Sequence, residues 1–248
     1  MNTVVRPDDV ADRLAEVRRR VADAAGRAGR EAAAIRIVVV TKGVPPPVMQ
    51  AALDAGATDL GENRAQEMLA KAPELARLSG GTPNPGLSGD SPKPGVPRWH
   101  FIGRLQRNKV ASLAPLVDLW QSVDRLELGR AIAGRAPGAA VLAEVNVADD
   151  PAKAGVAPDD APALVDGLRS AGLTVDGLMT IPAAGRDPRP AFATLASLAD
   201  RLGLAEVSMG MSEDFETAVE EGATIVRVGR AIFGPRPHPR SMPPSLQR

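Results

Sequence analysis

The chain reads as an α/β protein, a single (β/α)8 TIM barrel preceded by one extra helix. Three observations carry that reading. Eight short apolar runs of strand character recur along the 248 residues, with helical stretches between them. The helical stretches begin at proline or an oxygen-bearing residue and stop before glycine, the expected asymmetry of helix ends. No glycine-rich turn follows the first strand, which separates this pattern from an open doubly wound sheet.

The elements follow in order. An amphipathic helix is expected over residues 8–29, with Val10, Leu14, Val17 and Val21 on one face. Strands are expected over 35–41, 58–61, 98–102, 117–122, 139–146, 174–180, 205–209 and 224–228. The helix after the first strand starts at Pro45–Pro47 and stops before Gly56. Another surrounds Ala65–Leu69, and one over 159–171 follows Pro158-Asp159-Asp160. A helix over 189–202 carries Phe192, Leu195, Leu198 and Leu202 on a face, and one over 213–221 follows Ser212. The barrel accounts for residues 1–236, with a flexible Gly/Pro/Ser-rich insertion at about 79–97. Residues 237–248 read as a disordered Pro/Arg tail.

Composition narrows the functional classes. Acidic and basic residues balance at 30 each, without a long charge run, which argues against nucleic acid or a membrane surface as partner. There is no cysteine, hence no disulfide, thiolate metal site or thiol nucleophile. The two histidines, His100 and His238, are too few for a histidine-based metal site. No secretory signal pattern and no membrane-length apolar stretch is present, so a cytoplasmic location is expected.

In a barrel, chemistry collects at the C-terminal ends of the strands. Lys42 closes the run Ile35 to Thr41 at such an end. A partly desolvated amine there can attack a carbonyl to form a Schiff base, and the competing reading is a lysine leaving the sheet into a loop. Ser212 and Gly229 follow the seventh and eighth strands, where barrels often bind phosphate; they also fit an N-cap and a turn glycine. Arg230 to Phe233 can form a short helical turn there. Arg227 in the last strand either reaches an aromatic nitrogen at the mouth or pairs with an inward carboxylate such as Glu144. Asn63 either touches a ligand or caps the next helix. His100 is an acid or base, or a satisfied core histidine. Met179, Met209 and Met211 are apolar walls or plain packing.

A set of ordered stretches gives these candidates a common meaning. They are Val39 to Lys42, Gly61-Glu62-Asn63 with Gln66-Glu67, Trp99 to Gly103 with Leu105-Gln106 and Asn108-Lys109, Gly177 to Pro182, Ser208 to Ser212, and Val226 to Gly229 with Ala231 to Gly234. In them the chain resembles the pyridoxal phosphate (PLP) homeostasis proteins of the "proline synthase co-transcribed" type. The resemblance implies the alanine-racemase-like PLP barrel. Lys42 would carry PLP as a Schiff base, Ser212 with Gly229 and Arg230 would hold the phosphate, Arg227 would face the pyridine nitrogen, and Asn63 and Met209 would lie near the ring. Where the family often has threonine after the last-strand glycine, this chain has Arg230.

An arginine at the pyridine nitrogen keeps it unprotonated and the electron sink shallow. Racemases of this fold use a tyrosine as second acid/base and a C-terminal β domain; this chain has no tyrosine and only a short tail after Gly234. The expectation is therefore a monomeric PLP carrier, with PLP-dependent apoenzymes as its recipients, and no substantial turnover. The alternatives are a PLP-dependent amino-acid racemase and a PLP-free Schiff-base aldolase.

Overall fold

The computed structural model describes residues 6–79, 96–148 and 153–235. Most of the expected insertion and all of the expected tail lie outside the described residues. Eight parallel strands close a barrel in sequence order, β1 (Arg36–Val40), β2 (Asp59–Glu62), β3 (Arg98–Phe101), β4 (Leu119–Val123), β5 (Ala140–Glu144), β6 (Thr174–Met179), β7 (Glu206–Ser208) and β8 (Ile225–Val228), with β8 returning to β1. Around them lie α1 (Pro7–Arg27), α2 (Pro46–Asp54), α3 (Ala65–Leu78), α4 (Val110–Leu113), α5 (Leu126–Ala133), α6 (Ala161–Ser170), α7 (Arg189–Arg201), α8 (Phe215–Glu220) and α9 (Arg230–Phe233). The eight expected strands are all present, within about two residues at each end. Two short helices, α4 and α5, had no clear sequence signal. Gly129 sits inside α5 because a methyl group there would meet Leu168 Cδ2 at 2.1 Å, so the position serves packing at the expense of helix propensity.

Residues along each strand alternate between the barrel interior and the helical shell. The shell face is apolar: Val39, Leu60, Trp99, Phe101, Trp120, Val141, Leu178, Val207 and Val226 join the main core with the inward faces of the helices. The interior is mixed. Val38, Leu119, Leu142, Met179 and Ile225 form a separate apolar ring, and the remaining interior is polar. Aligned with that ring in the parallel register are Asp59, opposite Val38, and Arg227, opposite Val38 on the other side.

α1 packs against α2 on one side and α8 and α9 on the other. Val10, Leu14, Val17 and Val21 supply its buried face. Arg20 pairs with Glu216 at 2.7 Å and lies over the Phe215 ring at 4.6 Å, and Arg27 pairs with Glu220 at 2.8 Å. The extra helix thus clasps the first and last β/α units, where the barrel closes.

At the floor, the N-terminal end of the strands, a cleft of about 600 Å³ is lined by Arg36, Asp59, Arg98 and Glu206 among others. Its charges answer one another: Arg98 to Asp59 at 2.9 Å and Arg36 to Glu206 at 3.1 Å. It lies at the end of the barrel opposite Lys42. Among the described residues no helix is long and apolar enough to cross a membrane.

Candidate functional site

Lys42 stands half-buried in the turn that follows β1 at the mouth of the barrel. Its neighbours are fixed from α3. The Lys71 ammonium donates to the Thr41 carbonyl at 2.8 Å, to Glu62 Oε1 at 2.6 Å and to Glu67 Oε2 at 2.7 Å. The Thr41 hydroxyl donates to Glu62 Oε1 at 2.7 Å, and the Gly43 N–H donates to Glu67 Oε2 at 2.7 Å. The residue before Lys42 and the residue after it are therefore tied to one buried ionic cluster. Gly43 turns with φ 71°, a conformation that favours glycine. Burial pushes the Glu62 carboxyl up, and its contacts with Lys71 and Thr41 offset only part of that. Glu67 is less buried; the bonds from Lys71 and Gly43 outweigh its own desolvation and hold it low.

The ends of β7 and β8 meet beside the Lys42 turn, β8 being the hydrogen-bonded neighbour of β1. Ser212 does not cap the following helix, which begins three residues later at Phe215. Asp214 Oδ1 instead accepts the Met211 N–H at 2.6 Å. The Ser212 hydroxyl oxygen accepts the Gly229 and Ala231 N–H groups, each at 3.2 Å. Two backbone donors from the β8–α9 junction thus converge on one oxygen from the β7 loop, an arrangement that favours an anion. Gly229 is needed for the approach, since a Cβ there would lie 3.0 Å from the Val40 carbonyl of β1. The Arg230 side chain turns to the rim and pairs with Glu213 at 2.9 Å, both well exposed.

Arg227 is 4% exposed and reaches into the barrel interior. Its guanidinium donates to Ser208 Oγ at 2.6 Å and to the Thr180 carbonyl at 2.7 Å. No contact ion pair joins it to Glu144 among the described residues. Burial lowers its pKa to about 10, with Glu144 and Asp214 acting against that, so it stays cationic at neutral pH. Glu144 is pushed up to about 7, first by burial and then by Asp124, with Arg227 and Arg104 restraining the shift.

Asn63 is half-buried after β2 and forms no side-chain cap for α3. Its Oδ1 is buried without a hydrogen-bond partner, and a polar atom left so is costly unless a ligand completes it. Met209 is fully buried in the main core, while Met179 belongs to the apolar ring inside the barrel. His100 is 1% exposed, with one ring nitrogen on Asp59 at 2.8 Å and the other on Gln121 at 2.7 Å. Of its two sequence readings, the satisfied core histidine holds, and it is not placed to act as a base.

The structure brings Lys42, Asn63, Ser212, Arg227, Gly229 and Arg230 to one end of the barrel. Sequence reasoning missed Lys71 and Gln121; it named Glu144 only as a partner for Arg227 and Glu62 only within a motif, without the environment that raises both carboxyls. The i,i+4 pair Glu67–Lys71, with Lys71 set among the buried Met68, Ala72 and Leu75, was a usable signal. Nothing comparable marked Gln121.

Residues 13–237 match the family model of the alanine racemase N-terminal domain. A pyridoxal phosphate homeostasis protein of Pseudomonas aeruginosa is 36% identical over 237 residues, covering 92% of this chain and 96% of that one. Its counterpart in Aquifex aeolicus is 39% identical, with 92% and 99% covered. Among solved structures, PipY of Synechococcus elongatus with PLP bound superimposes with a TM-score of 0.74 at 30% identity, covering 91% of this chain and 100% of that one. The barrel, the ordered motifs and these relatives together place the chain: it belongs to the pyridoxal phosphate homeostasis proteins, built on the barrel of the alanine racemase N-terminal domain.

Proposed function

We propose that this protein binds PLP at the mouth of its barrel and serves PLP homeostasis, holding and supplying the cofactor with no substantial turnover. One observation carries the reading: two backbone N–H groups converge on the Ser212 hydroxyl at the end of β8, the strand that carries the buried Arg227 cation and pairs with the strand leading to Lys42. That set suits a ligand with a phosphate, an aromatic nitrogen and an aldehyde. The PLP-bound relative at 30% identity supports it.

In this reading Lys42 is the covalent anchor of the aldehyde. Ser212 and the backbone at Gly229 and Arg230 take the phosphate, and the orphaned Asn63 Oδ1 finds its partner at the ring. Met209 backs the site from inside the core. Arg227 has N–H groups to spare beyond the two already used, and it donates one to the pyridine nitrogen. Bound PLP supplies an electron-poor ring that draws charge from an attached carbon. A permanent cation that only donates leaves the ring nitrogen unprotonated, which weakens that pull. The Lys71 cluster holds the backbone on both sides of Lys42, so the amine is presented without a search. PLP-dependent apoenzymes are the recipients, and the protein acts as a cytoplasmic monomer.

A second reading, slow racemase-type turnover, draws on Glu144, whose pKa of about 7 suits proton transfer at the mouth. Measurable D-amino acid formed from an L-amino acid, lost in Glu144→Gln, would favour it. The main reading is tested by borohydride reduction of the PLP-treated protein followed by peptide mapping. The expected outcome is a pyridoxyl group on Lys42, and Lys42→Ala folds but gives no label and no visible absorbance band. A label on Lys109 or Lys153 instead, or none, overturns it.

A further inference from the structure

The barrel interior contains a run of hydrogen bonds longer than a cofactor site requires. Arg227 Nη1 donates to Ser208 Oγ at 2.6 Å. The Ser208 hydroxyl donates to Gln121 Oε1 at 2.6 Å. Gln121 Nε2 meets His100 Nδ1 at 2.7 Å, and His100 Nε2 meets Asp59 Oδ1 at 2.8 Å. The five residues come from β8, β7, β4, β3 and β2, and none is more than 4% exposed.

With the Gln121 amide as placed, Oε1 toward Ser208 and Nε2 toward His100, the links share one direction. A guanidinium has no acceptor, so Ser208 Oγ accepts from Arg227 and its own proton is free to go onward. It meets the carbonyl oxygen of Gln121, which only accepts. The amide of Gln121 is thereby oriented with its nitrogen toward His100, and an amide nitrogen only donates. His100 Nδ1 is therefore a bare acceptor, the ring proton sits on Nε2, and that proton is donated to Asp59. Asp59 is fixed in turn by Arg98 at 2.9 Å and the Thr58 hydroxyl at 2.6 Å. A permanent cation on β8 is joined to the buried Asp59 carboxylate through three intervening side chains, with every donor pointing the same way.

We infer that Ser208, Gln121 and His100 are positioning residues: anchored on Asp59, they aim the Arg227 guanidinium at the mouth and so set its contact with the cofactor's ring nitrogen. The part concerning the ring nitrogen rests on the PLP reading above. The part concerning the proton order does not, and the two are tested separately.

The first arm uses the full-length protein without PLP. Nitrogen-15 NMR of its two histidines, assigned with His238→Gln, reads the tautomer directly. His100 is expected with Nε2 protonated and Nδ1 bare. In Gln121→Glu the new carboxylate accepts from both sides, and His100 is expected to carry protons on both nitrogens. An Nδ1–H tautomer in the parent protein, or an unchanged His100 in Gln121→Glu, overturns the proton order. The second arm uses PLP titration followed by visible absorbance. Ser208→Ala is expected to shift the band of bound PLP and weaken binding by about tenfold, the scale of one hydrogen bond to a charged group. Ser208→Thr, which keeps the hydroxyl, is expected to restore both. An unchanged band and affinity in Ser208→Ala, or equal losses in both variants, overturns the positioning role. Failure of the parent protein to take up PLP at all strikes the proposed function and leaves the NMR arm standing.

Discussion

Asp59 and Glu144 both project into the barrel, one near its floor and one near its mouth, and their surroundings drive them apart. Asp59 is 1% exposed and Glu144 6% exposed, so burial is nearly the same. Desolvation raises both. At Asp59 the bonds from His100, Thr58 and Arg98 outweigh it and hold the carboxyl well below the usual range. At Glu144 the nearest help, Arg227 and Arg104, acts through space, Asp124 opposes it, and the carboxyl rises to about 7. The floor is built mainly of paired charges, Arg98 with Asp59 and Arg36 with Glu206, with Arg98 Nε the atom left over. The mouth is built of groups left incomplete: a near-neutral carboxyl, an unpartnered Asn63 oxygen and two N–H groups sharing one hydroxyl. Barrel enzymes show the same division, with stability at the N-terminal end of the strands and ligands at the C-terminal end.

The contrast can be broken most directly at the floor. Asp59→Ala leaves Arg98 and His100 without their shared acceptor, and a loss of about 3–5 kcal/mol in urea unfolding is expected. A loss below about 1 kcal/mol would mean the floor is not a stability element. The Asp59 contribution is present above its unfolded pKa and disappears as acid protonates the carboxyl, below about pH 4. Glu144 carries the opposite sign. Its folded pKa lies above its unfolded one, so the folded state holds the extra proton between about pH 4.5 and 7 and stability falls as pH rises through that window. Glu144→Gln is expected to stabilise the protein by roughly 1–3 kcal/mol at pH 8, the gain vanishing by about pH 5. Thermal unfolding across that pH range reads it. A destabilised Glu144→Gln at pH 8 would place a structural partner on Glu144 and erase the contrast.

The smallest effect belongs to the rim. Arg230→Thr removes an exposed pair with Glu213 and should change stability by less than about 0.5 kcal/mol. The hydroxyl it introduces is the one the family resemblance implies at this position, so PLP affinity should hold or rise slightly in titration. A large fall in affinity would make the Arg230 guanidinium a true phosphate ligand.

The strands were legible because each is a short apolar run closed by glycine, proline or a polar end. Lys42, Gly229 and Ser212 were legible as strand-end residues. The polar interior was not. In the stretch Asp59-Leu60-Gly61-Glu62, alternation says that Asp59 and Glu62 face opposite ways, but not which faces the helices. The structure turns Glu62 outward to Lys71 on α3 and Asp59 inward to His100. Five strands must close before Gln121 meets both His100 and Ser208, and pairings of that span leave no local pattern. Ser212 shows the same limit. A serine before a helix reads as a cap, and only the pairing of β7 with β8 brings Gly229 and Ala231 to its oxygen.

The clasp formed by α1 has a consequence in time. Its apolar face meets α2 early, but α8 and α9 lie at residues 215–220 and 230–233, about 200 residues further along the chain. At a synthesis rate of roughly 5–20 residues per second, that face waits on the order of 10 to 40 s for its second set of partners. The first helix made is thus among the last to be fully covered, and the interval is when the nascent chain is most exposed to misassociation through Val10, Leu14, Val17 and Val21.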